Sequence, residues 1–386
     1  MITFACALAC GVMVANIYYA QPLVALIGPA LRMSAGAAGA IVSVTQLGYA
    51  AGMLFVVPLA DRLENRALTL VMFGLAALAL AAMAVMPTAA TLLAAAAAVG
   101  VTSAGVHVLV PLAASLAPAE TRGRTIGNVM SGLLAGIMLS RPAASLISEI
   151  AGWRWVFGVA ALLMVAMGLW LARVLPERRP TSGHGYGRIL ASMGRLLLRE
   201  RALQRRAVYH GMIFLVFTLF WTAVPLELVG RFHFGQTGVA MFALAGAAGA
   251  LTAPLAGRLG DRGHIRAGTG AAMLIVIVSC LLAGWAGAVG SLIGLVVFAI
   301  ALDGATQLNQ VLGQRVIFSL PGEDRGRVNA VYMTIIFLFG GAGGILATAA
   351  YDHGGWWGAM LLGAGVGGAV LVIFLTEFLG RRAEAD

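Results

Sequence analysis

The sequence contains no lysine, and all of its 25 basic residues other than histidine are arginines. Charge of either sign is scarce: 10% of the 386 residues are charged, whereas 61% are hydrophobic. Soluble globular domains have about 25% charged residues, so this composition predicts a polytopic membrane protein. The net charge of +10 is then explained by an arginine-rich face beside anionic lipid, and we expect no nucleic-acid binding.

Cysteine is also scarce, and several motifs are missing. Cys6, Cys10 and Cys280 lie in apolar stretches without the spacing of a metal site or a disulfide framework, so we expect packing residues and no metal or cofactor. There is no G-x-x-x-x-G-K-[ST] loop for ATP. No catalytic dyad or metal-spaced histidine cluster appears at membrane depth, so we do not expect an enzyme.

Long apolar runs fill most of the chain. A spanning helix needs about 20 mostly apolar residues, and this length predicts twelve spans. Twenty-one arginines fall in loops and ends on one side of these spans, and the positive-inside rule therefore puts both termini in the cytoplasm. The predicted spans cover roughly residues 3–30, 37–59, 67–86, 88–117, 125–150, 155–175, 205–230, 236–257, 267–286, 289–319, 328–350 and 355–379.

The two halves of the chain repeat one plan. PAETRGR at 118–124 recurs as PGEDRGR at 321–327, an offset of 203, and ADRLENR at 60–66 matches GDRGHIR at 260–266, an offset of 200. Six spans repeated in the same orientation predict two parallel bundles related by an axis along the membrane normal.

The repeat defines the predicted fold and domains. We expect an all-α membrane protein with twelve transmembrane helices in two pseudo-symmetric six-helix bundles. The bundles would cover 1–175 and 205–386, and residues 176–204, rich in Pro, Gly, Ser and Arg, would form a cytoplasmic linker with an amphipathic helix.

The repeated loops resemble those of the major facilitator superfamily of transporters. The D-R-x-x-x-R pattern and the RGR loops carry this resemblance over the whole chain, and NIYYAQPL (16–23), LADRLENR and GWRWVF resemble a bacterial subgroup of drug/proton antiporters. The resemblance implies the major facilitator fold, alternating access and a place in the bacterial inner membrane. Two positions depart from it: Val57 replaces a loop glycine, and 95–110 has no arginine where many proton antiporters have one.

Ionisable side chains at membrane depth are costly and mark a cavity or a partner. His107, Arg141 and Asp303 lie near the middle of their predicted spans, and we regard them as proton-coupling candidates with Asp303 as the main carrier. Asp303 shares a helical face with three amides that either line a water-filled path or bond neighbouring helices: Gln307, Gln310 and Gln314.

Arg141 has two interpretations. It is followed by Pro142, which frees a backbone carbonyl that the guanidinium would satisfy. Alternatively it is a cavity cation that binds an anionic substrate group or pairs with Asp303. His107 is likewise either a hydrogen-bonded packing residue or part of the coupling machinery.

The stretch 16–23 brings polar and aromatic side chains to the middle of the first span. We expect a helix with Asn16, Tyr19 and Leu23 on one face and Tyr18 beside it, facing an aromatic stripe on span 7. These side chains would form the walls of a substrate cavity, or else pack against neighbouring helices. The predicted cavity residues are Asn16, Tyr18, Tyr19, Gln21, Arg141, Phe217, Trp221, Gln307, Gln310 and Gln314.

The two D-R-x-x-x-R loops lie at predicted cytoplasmic helix ends. In the resembling superfamily such loops close the inner gate through charge pairs between the halves, and we expect aspartates near helix N-termini with arginines across the interface. The predicted gating residues are Asp61, Arg62, Arg66, Asp261, Arg262 and Arg266.

These features predict a secondary transporter that exports small amphiphilic compounds, drugs or metabolites, by proton antiport. One alternative is a proton-coupled or facilitated carrier of a small organic anion held by Arg141. The other is a membrane receptor that does not transport. The expected partners are a small-molecule substrate, protons and membrane lipid, with no nucleic acid, and we expect a monomer.

Overall fold

A computed structural model describes residues 2–180, 185–320 and 325–382. Within these ranges the chain is almost entirely helical and holds no strand, which confirms the predicted all-α fold class. The first four residues of the second RGR repeat, 321–324, lie outside the described ranges.

Eight helices form the first half of the molecule. They are α1 (Ile2–Ala15), α2 (Val24–Ala30), α3 (Ala40–Phe55), α4 (Asn65–Val85), α5 (Ala89–Ser103), α6 (Val106–Leu116), α7 (Arg122–Ala151) and α8 (Trp153–Val174). The linker helix α9 (Tyr186–Arg199) follows, and its Ile189 and Met193 are buried. The second half consists of α10 (Arg201–Gly230), α11 (Gln236–Gly246), α12 (Ala253–Asp261), α13 (Ile265–Ala288), α14 (Leu292–Phe318) and α15 (Arg325–Arg382).

The described residues contain nine helices that are long and apolar enough to cross a membrane. The predicted number of twelve differs from this at three places. The first predicted span is divided between α1 and α2, the eighth between α11 and α12, and α15 covers both the eleventh and the twelfth. Inside α15, Gly355 has φ 60° and ψ −160°, a backbone conformation that side-chain-bearing residues avoid, so the chain turns there.

The expectation of helical faces at 16–23 is wrong. After α1 the backbone forms turns in which Tyr18 N–H bonds to Ala15 O at 3.0 Å, followed by a short 3-10 turn at Gln21–Leu23. Pro22 has no N–H and its ring would clash with the preceding turn of an α-helix, so the helix stops before it. The whole stretch is buried, which is the condition under which irregular backbone is tolerated at membrane depth.

Helix packing recurs in the two halves. In the first half α1 packs on α7, α3 on α5 and α4 on α8. In the second half α10 packs on the first part of α15, α14 on α12 and α13 on the rest of α15. This correspondence agrees with the repeat in the sequence.

The two halves meet mainly where α3 packs on α15 and α7 on α11. We refer to the end that holds α9, Asp61 and Arg327 as the linker end, and to the end that holds Gly36 and Glu149 as the opposite end. At the opposite end Thr348 donates to Gly36 O at 2.8 Å. A Cβ at Gly39 would lie 2.0 Å from the carbonyl of Gly344, so the helices touch there only because both residues are glycines.

Candidate functional site

Arg141 lies at the centre of the molecule, in α7, with 5% of its surface exposed. Its Nε donates a hydrogen bond to Gln21 Oε1 at 2.7 Å. The turns at 16–23 bring Gln21 to this position, so the break in the first span serves the site directly. Among the described residues the guanidinium makes no other recorded hydrogen bond. The interpretation that Arg141 satisfies a carbonyl freed by Pro142 is therefore not supported.

Three aromatic rings surround the guanidinium. Its carbon lies 4.5 Å from the ring centre of Trp221 and 5.1 Å from those of Tyr18 and Phe217. Cation–π contacts of this kind contribute about 0.5–2 kcal/mol each, the larger values applying to desolvated sites. Tyr18 comes from the first half and the other two rings from α10, so the rings join the two halves around one charge.

Trp221 also contacts the second ionisable residue. Its Nε1–H donates to Asp303 Oδ1 at 2.7 Å, while Arg141 lies over its ring. No ion pair within 4.0 Å joins Arg141 to Asp303 in the described residues. The two residues that we expected to pair are therefore linked through one indole.

Two glycines make room for this arrangement. A Cβ at Gly246, the last residue of α11, would lie 2.4 Å from the Trp221 ring. A Cβ at Gly249, just beyond, would lie 2.5 Å from Asp303 Cβ and 2.8 Å from the backbone nitrogen of Gly304. The break between α11 and α12 thus places a side-chain-free backbone against Trp221 and Asp303.

Two buried donors at the site have no partner. Arg141 Nη2 and Gln21 Nε2 are both buried without a hydrogen bond in the described part of the chain. A void of about 10 Å³ is lined by Arg141, Trp221 and Phe242, together with apolar side chains around them. That volume holds about one water molecule. The unused groups are both donors, so they are complementary to an acceptor.

The other predicted cavity residues lie in two different places. Asn16 points into the first half, where its Nδ2 lies 3.5 Å from Met164 Sδ, and Tyr19 is buried in the core. Neither is in the group around Arg141. On α14, three partly exposed amides follow Asp303 towards the linker end: Gln307, Gln310 and Gln314.

His107 is separate from the central pair. Its Nε2 shares a hydrogen bond with Tyr49 OH at 2.8 Å. The Tyr49 ring in turn packs on Phe337 of the second half at a ring-centre distance of 4.4 Å. His107 therefore supports a contact between the halves.

At the linker end, the aspartate loops behave differently from each other. Asp61 Oδ2 lies 3.6 Å from Arg327 Nε across the halves, and Arg327 Nη1 also lies 3.4 Å from Ser192 Oγ of α9. Asp261 instead pairs at 2.5 Å with Arg315 of its own half. Within the residues that the structure describes, the expected cross-half pairing thus occurs in the first loop and not in the second.

The expected placement of the two aspartates near helix N-termini is wrong, whereas gating by the loop residues stays a prediction. Asp61 ends a short 3-10 turn and Asp261 ends α12, so neither lies at a helix N-terminus. Arg66 stays within its own half, donating to Ala172 O. The other three arginines of these loops are exposed: Arg62, Arg262 and Arg266.

The sequence matches a known family over nearly its whole length. The model of the Major Facilitator Superfamily matches residues 4–315 and 207–385. The chain belongs to the major facilitator superfamily. The resemblance seen in the loops is confirmed at this level, and the protein is a multi-pass membrane transporter of that superfamily.

Relatives and solved structures agree with this assignment. The chain is 38% identical over 379 residues, 98% of its length and 95% of the relative's, to the putative uncharacterized transporter YgaY of Escherichia coli K12. It is 34% identical to the probable transporter SCO4007 of Streptomyces coelicolor, covering 98% of this chain and 87% of that one. A bacterial homologue of the human lysosomal transporter Spinster, crystallised inward-facing and unoccupied, shares the fold with a TM-score of 0.74 at 14% identity, covering 97% and 94% of the two chains.

Sequence reasoning missed several polar contacts of this superfamily member. Gln46 of α3 and Thr218 of α10, both fully buried, bond across the halves at 3.3 Å. His210 and Asn309, also buried, bond to each other at 3.1 Å. A search for every amide and histidine at membrane depth, and not only for ionisable residues in stripes, would have found them.

Proposed function

We propose that this transporter exports small amphiphilic compounds in exchange for protons, by alternating access, with Asp303 as the proton carrier. The observation that carries the proposal is the contact of Trp221 with both Arg141 and Asp303. It connects an ionisable group of each half at the centre of the molecule. The aromatic rings around it offer apolar surface with polar edges, which suits amphiphilic compounds.

Competition at Asp303 explains the exchange. The charged carboxylate attracts a compound with a positive or hydrogen-donating group, while a proton on the same carboxylate removes that attraction. Substrate and proton then bind in turn, and each favours a different population of the alternating-access states. The partly exposed glutamines of α14 extend from Asp303 towards the linker end. They give a polar route for either the substrate or the proton.

Asp303→Asn tests this proposal. We would reconstitute the full chain in sealed proteoliposomes with an internal pH dye, impose a proton gradient and add tetraphenylphosphonium, ethidium or benzoate. We expect at least one compound to trigger proton movement in the wild type, and the signal to fall at least tenfold in Asp303→Asn. The exposed Asp352 at the opposite end supplies the control variant, Asp352→Asn, which should keep the signal.

Three results would count against the proposal. If the compound crosses the membrane without a proton signal, and Asp303→Asn does not change its flux, the protein is a facilitator. Binding without flux across the sealed vesicle would favour a receptor. Proton movement in the same direction as the compound would replace exchange by cotransport.

The last result points to a second candidate, a carrier of a small organic anion. The specific observation in its favour is that Arg141 Nη2 and Gln21 Nε2 are buried donors without partners. A carboxylate accepts from both in a charge-assisted way. An anion beside Arg141 makes a second negative charge at Asp303 costly, so anion and proton would bind together. In the same vesicles, benzoate would then move with protons, and Arg141→Gln would abolish that movement.

A further inference from the structure

Glu149 joins the two halves at the opposite end of the molecule. It lies near the end of α7, and its Oε2 accepts a hydrogen bond at 2.7 Å from the backbone N–H of Gln236, the first residue of α11. The first N–H groups of a helix have no partner inside the helix and carry partial positive charge. A carboxylate of the first half therefore caps a helix of the second half.

The charged groups nearest to Glu149 along the chain do not pair with it. In the described residues Glu149 has no ion pair within 4.0 Å. Arg154, which follows Glu149, and Arg231, which precedes Gln236, each donate to backbone carbonyls of their own half. His233, exposed just before α11, is the other titratable side chain of the connecting segment. In the described residues the helix terminus is thus the recorded hydrogen-bond donor to this exposed carboxylate.

The hydrogen bonds that surround this contact between the halves are formed by neutral groups. Thr348 bonds to the backbone of Gly36 and Gly39, and Ser43 Oγ accepts from Ile345 N–H at 2.8 Å. Glu149 accepts a hydrogen bond from the other half, and at the same end the exposed carboxylate of Asp352 in the second half lies close to Gly36 of the first. At the linker end Asp61 has the corresponding place, opposite Arg327. In the described residues each end of the molecule therefore has a carboxylate that accepts from, or pairs with, a group of the other half.

We propose that Glu149 is a gate residue of the transport cycle, whose charge holds the opposite end closed. Opening this end separates α7 from α11, so the contact with Gln236 must break. A carboxylate at a helix N-terminus changes such an equilibrium by roughly two- to fivefold. The inference concerns the distance between the halves and does not depend on which compound or ion is transported.

Distance measurements on Glu149→Gln test the proposal. The amide has the shape of the carboxylate without its charge. Spin labels at Ile150→Cys and Thr237→Cys, both exposed, report the separation of α7 and α11 by double electron–electron resonance after the three buried native cysteines have been replaced by alanine. We expect the ratio of separated to closed molecules to rise roughly two- to fivefold in detergent, with no substrate added.

Two controls make the result specific. Glu120→Gln removes the same charge at the other end of α7, where Glu120 is exposed, and should leave the distances unchanged. A second label pair at Arg124→Cys and Arg258→Cys should report a matching approach of the halves at the linker end. If Glu149→Gln gives the same distances as the unsubstituted protein, the gate proposal is wrong. A failure of proton coupling in vesicles would leave this measurement unaffected.

Discussion

Arg141 keeps its position through contacts that a planar guanidinium makes at the same time. It donates through Nε to Gln21 and lies over three rings, of which Trp221 is the nearest. Arginine presents its donors in a fixed fork and stacks flat on aromatic faces, whereas lysine is a compact point charge on a flexible stem. A lysine at position 141, which keeps the charge but not this geometry, should therefore not reproduce these contacts.

Arg141→Lys tests the geometry of this residue. We expect it to lower the free energy of unfolding by about 1–3 kcal/mol, because the hydrogen bond to Gln21 is lost and a buried amide is left unpaired. Thermal unfolding of the purified protein in detergent measures the effect. Arg195→Lys, on the exposed side of α9, should leave the Tm unchanged. Equal Tm values for Arg141→Lys and the wild type would show that the guanidinium geometry does not matter.

Among the helices, α4 shows how one side chain, that of Glu64, can hold both the start of a helix and the adjacent linker. Glu64 caps α4 by accepting from the backbone N–H groups of Arg66 and Ala67, and it also accepts from Arg178 N–H of the linker. Burial raises the pKa of Glu64, but these three hydrogen bonds and the nearby Arg66 lower it by more, so the pKa lies below its usual value. Its contribution to stability is therefore complete above about pH 4.3 and is lost as the pH falls through the lowered pKa.

Glu64→Gln should show this pH dependence. We expect the variant to be less stable than the wild type by about 1 kcal/mol at pH 7, since a charged cap is replaced by a neutral one. The difference should begin to shrink below about pH 4.3 and approach zero once the pH has fallen through the lowered pKa of Glu64, where the folded carboxyl is neutral. Thermal unfolding at both pH values measures it, with Glu120→Gln as the matched change at an exposed glutamate. A difference that persists at low pH would assign the effect to packing and not to charge.

The sequence predicts the long helices well and their interruptions poorly. Hydrophobic length and arginine placement are enough to locate helices such as α4, α8 and α13. At 16–23 the prediction continued the helix through Pro22, although proline ends a helix unless neighbouring groups satisfy the freed carbonyls. Between α11 and α12, the glycines at 246 and 249 indicated weak helix formation, but their role appears only when Trp221 and Asp303 are seen against them.

For the candidate site, the sequence supplied the residue types but not their partners. Depth in the membrane and charge identified Arg141 and Asp303, because burying such groups is costly. That Trp221 lies between them depends on how α7, α10 and α14 pack in space. The pairing of Asp61 with Arg327 was likewise hidden, since Arg327 is far along the chain and the packing of the two halves brings them together.

In the whole molecule, the central site is divided between the two halves. Tyr18, Gln21 and Arg141 belong to the first half, whereas Trp221 and Asp303 belong to the second. Any rocking of one half against the other therefore changes the relation between Arg141 and the indole that binds Asp303. This arrangement gives a physical route by which protonation and conformation affect each other. Protonation of Asp303 changes its contact with Trp221, and this shifts the populations of the states that differ in that contact.

The most direct test of this coupling is the number of protons moved per substrate molecule in Trp221→Phe. Phenylalanine keeps an aromatic face for Arg141 but has no N–H for Asp303. A pH dye and a radiolabelled substrate measure both fluxes in the same proteoliposomes, with the half-exposed Trp357 changed to Phe as the control. We predict that Trp221→Phe still moves substrate but moves fewer protons with it. A proton-to-substrate ratio equal to that of the wild type would contradict the account, because coupling would then not pass through Trp221.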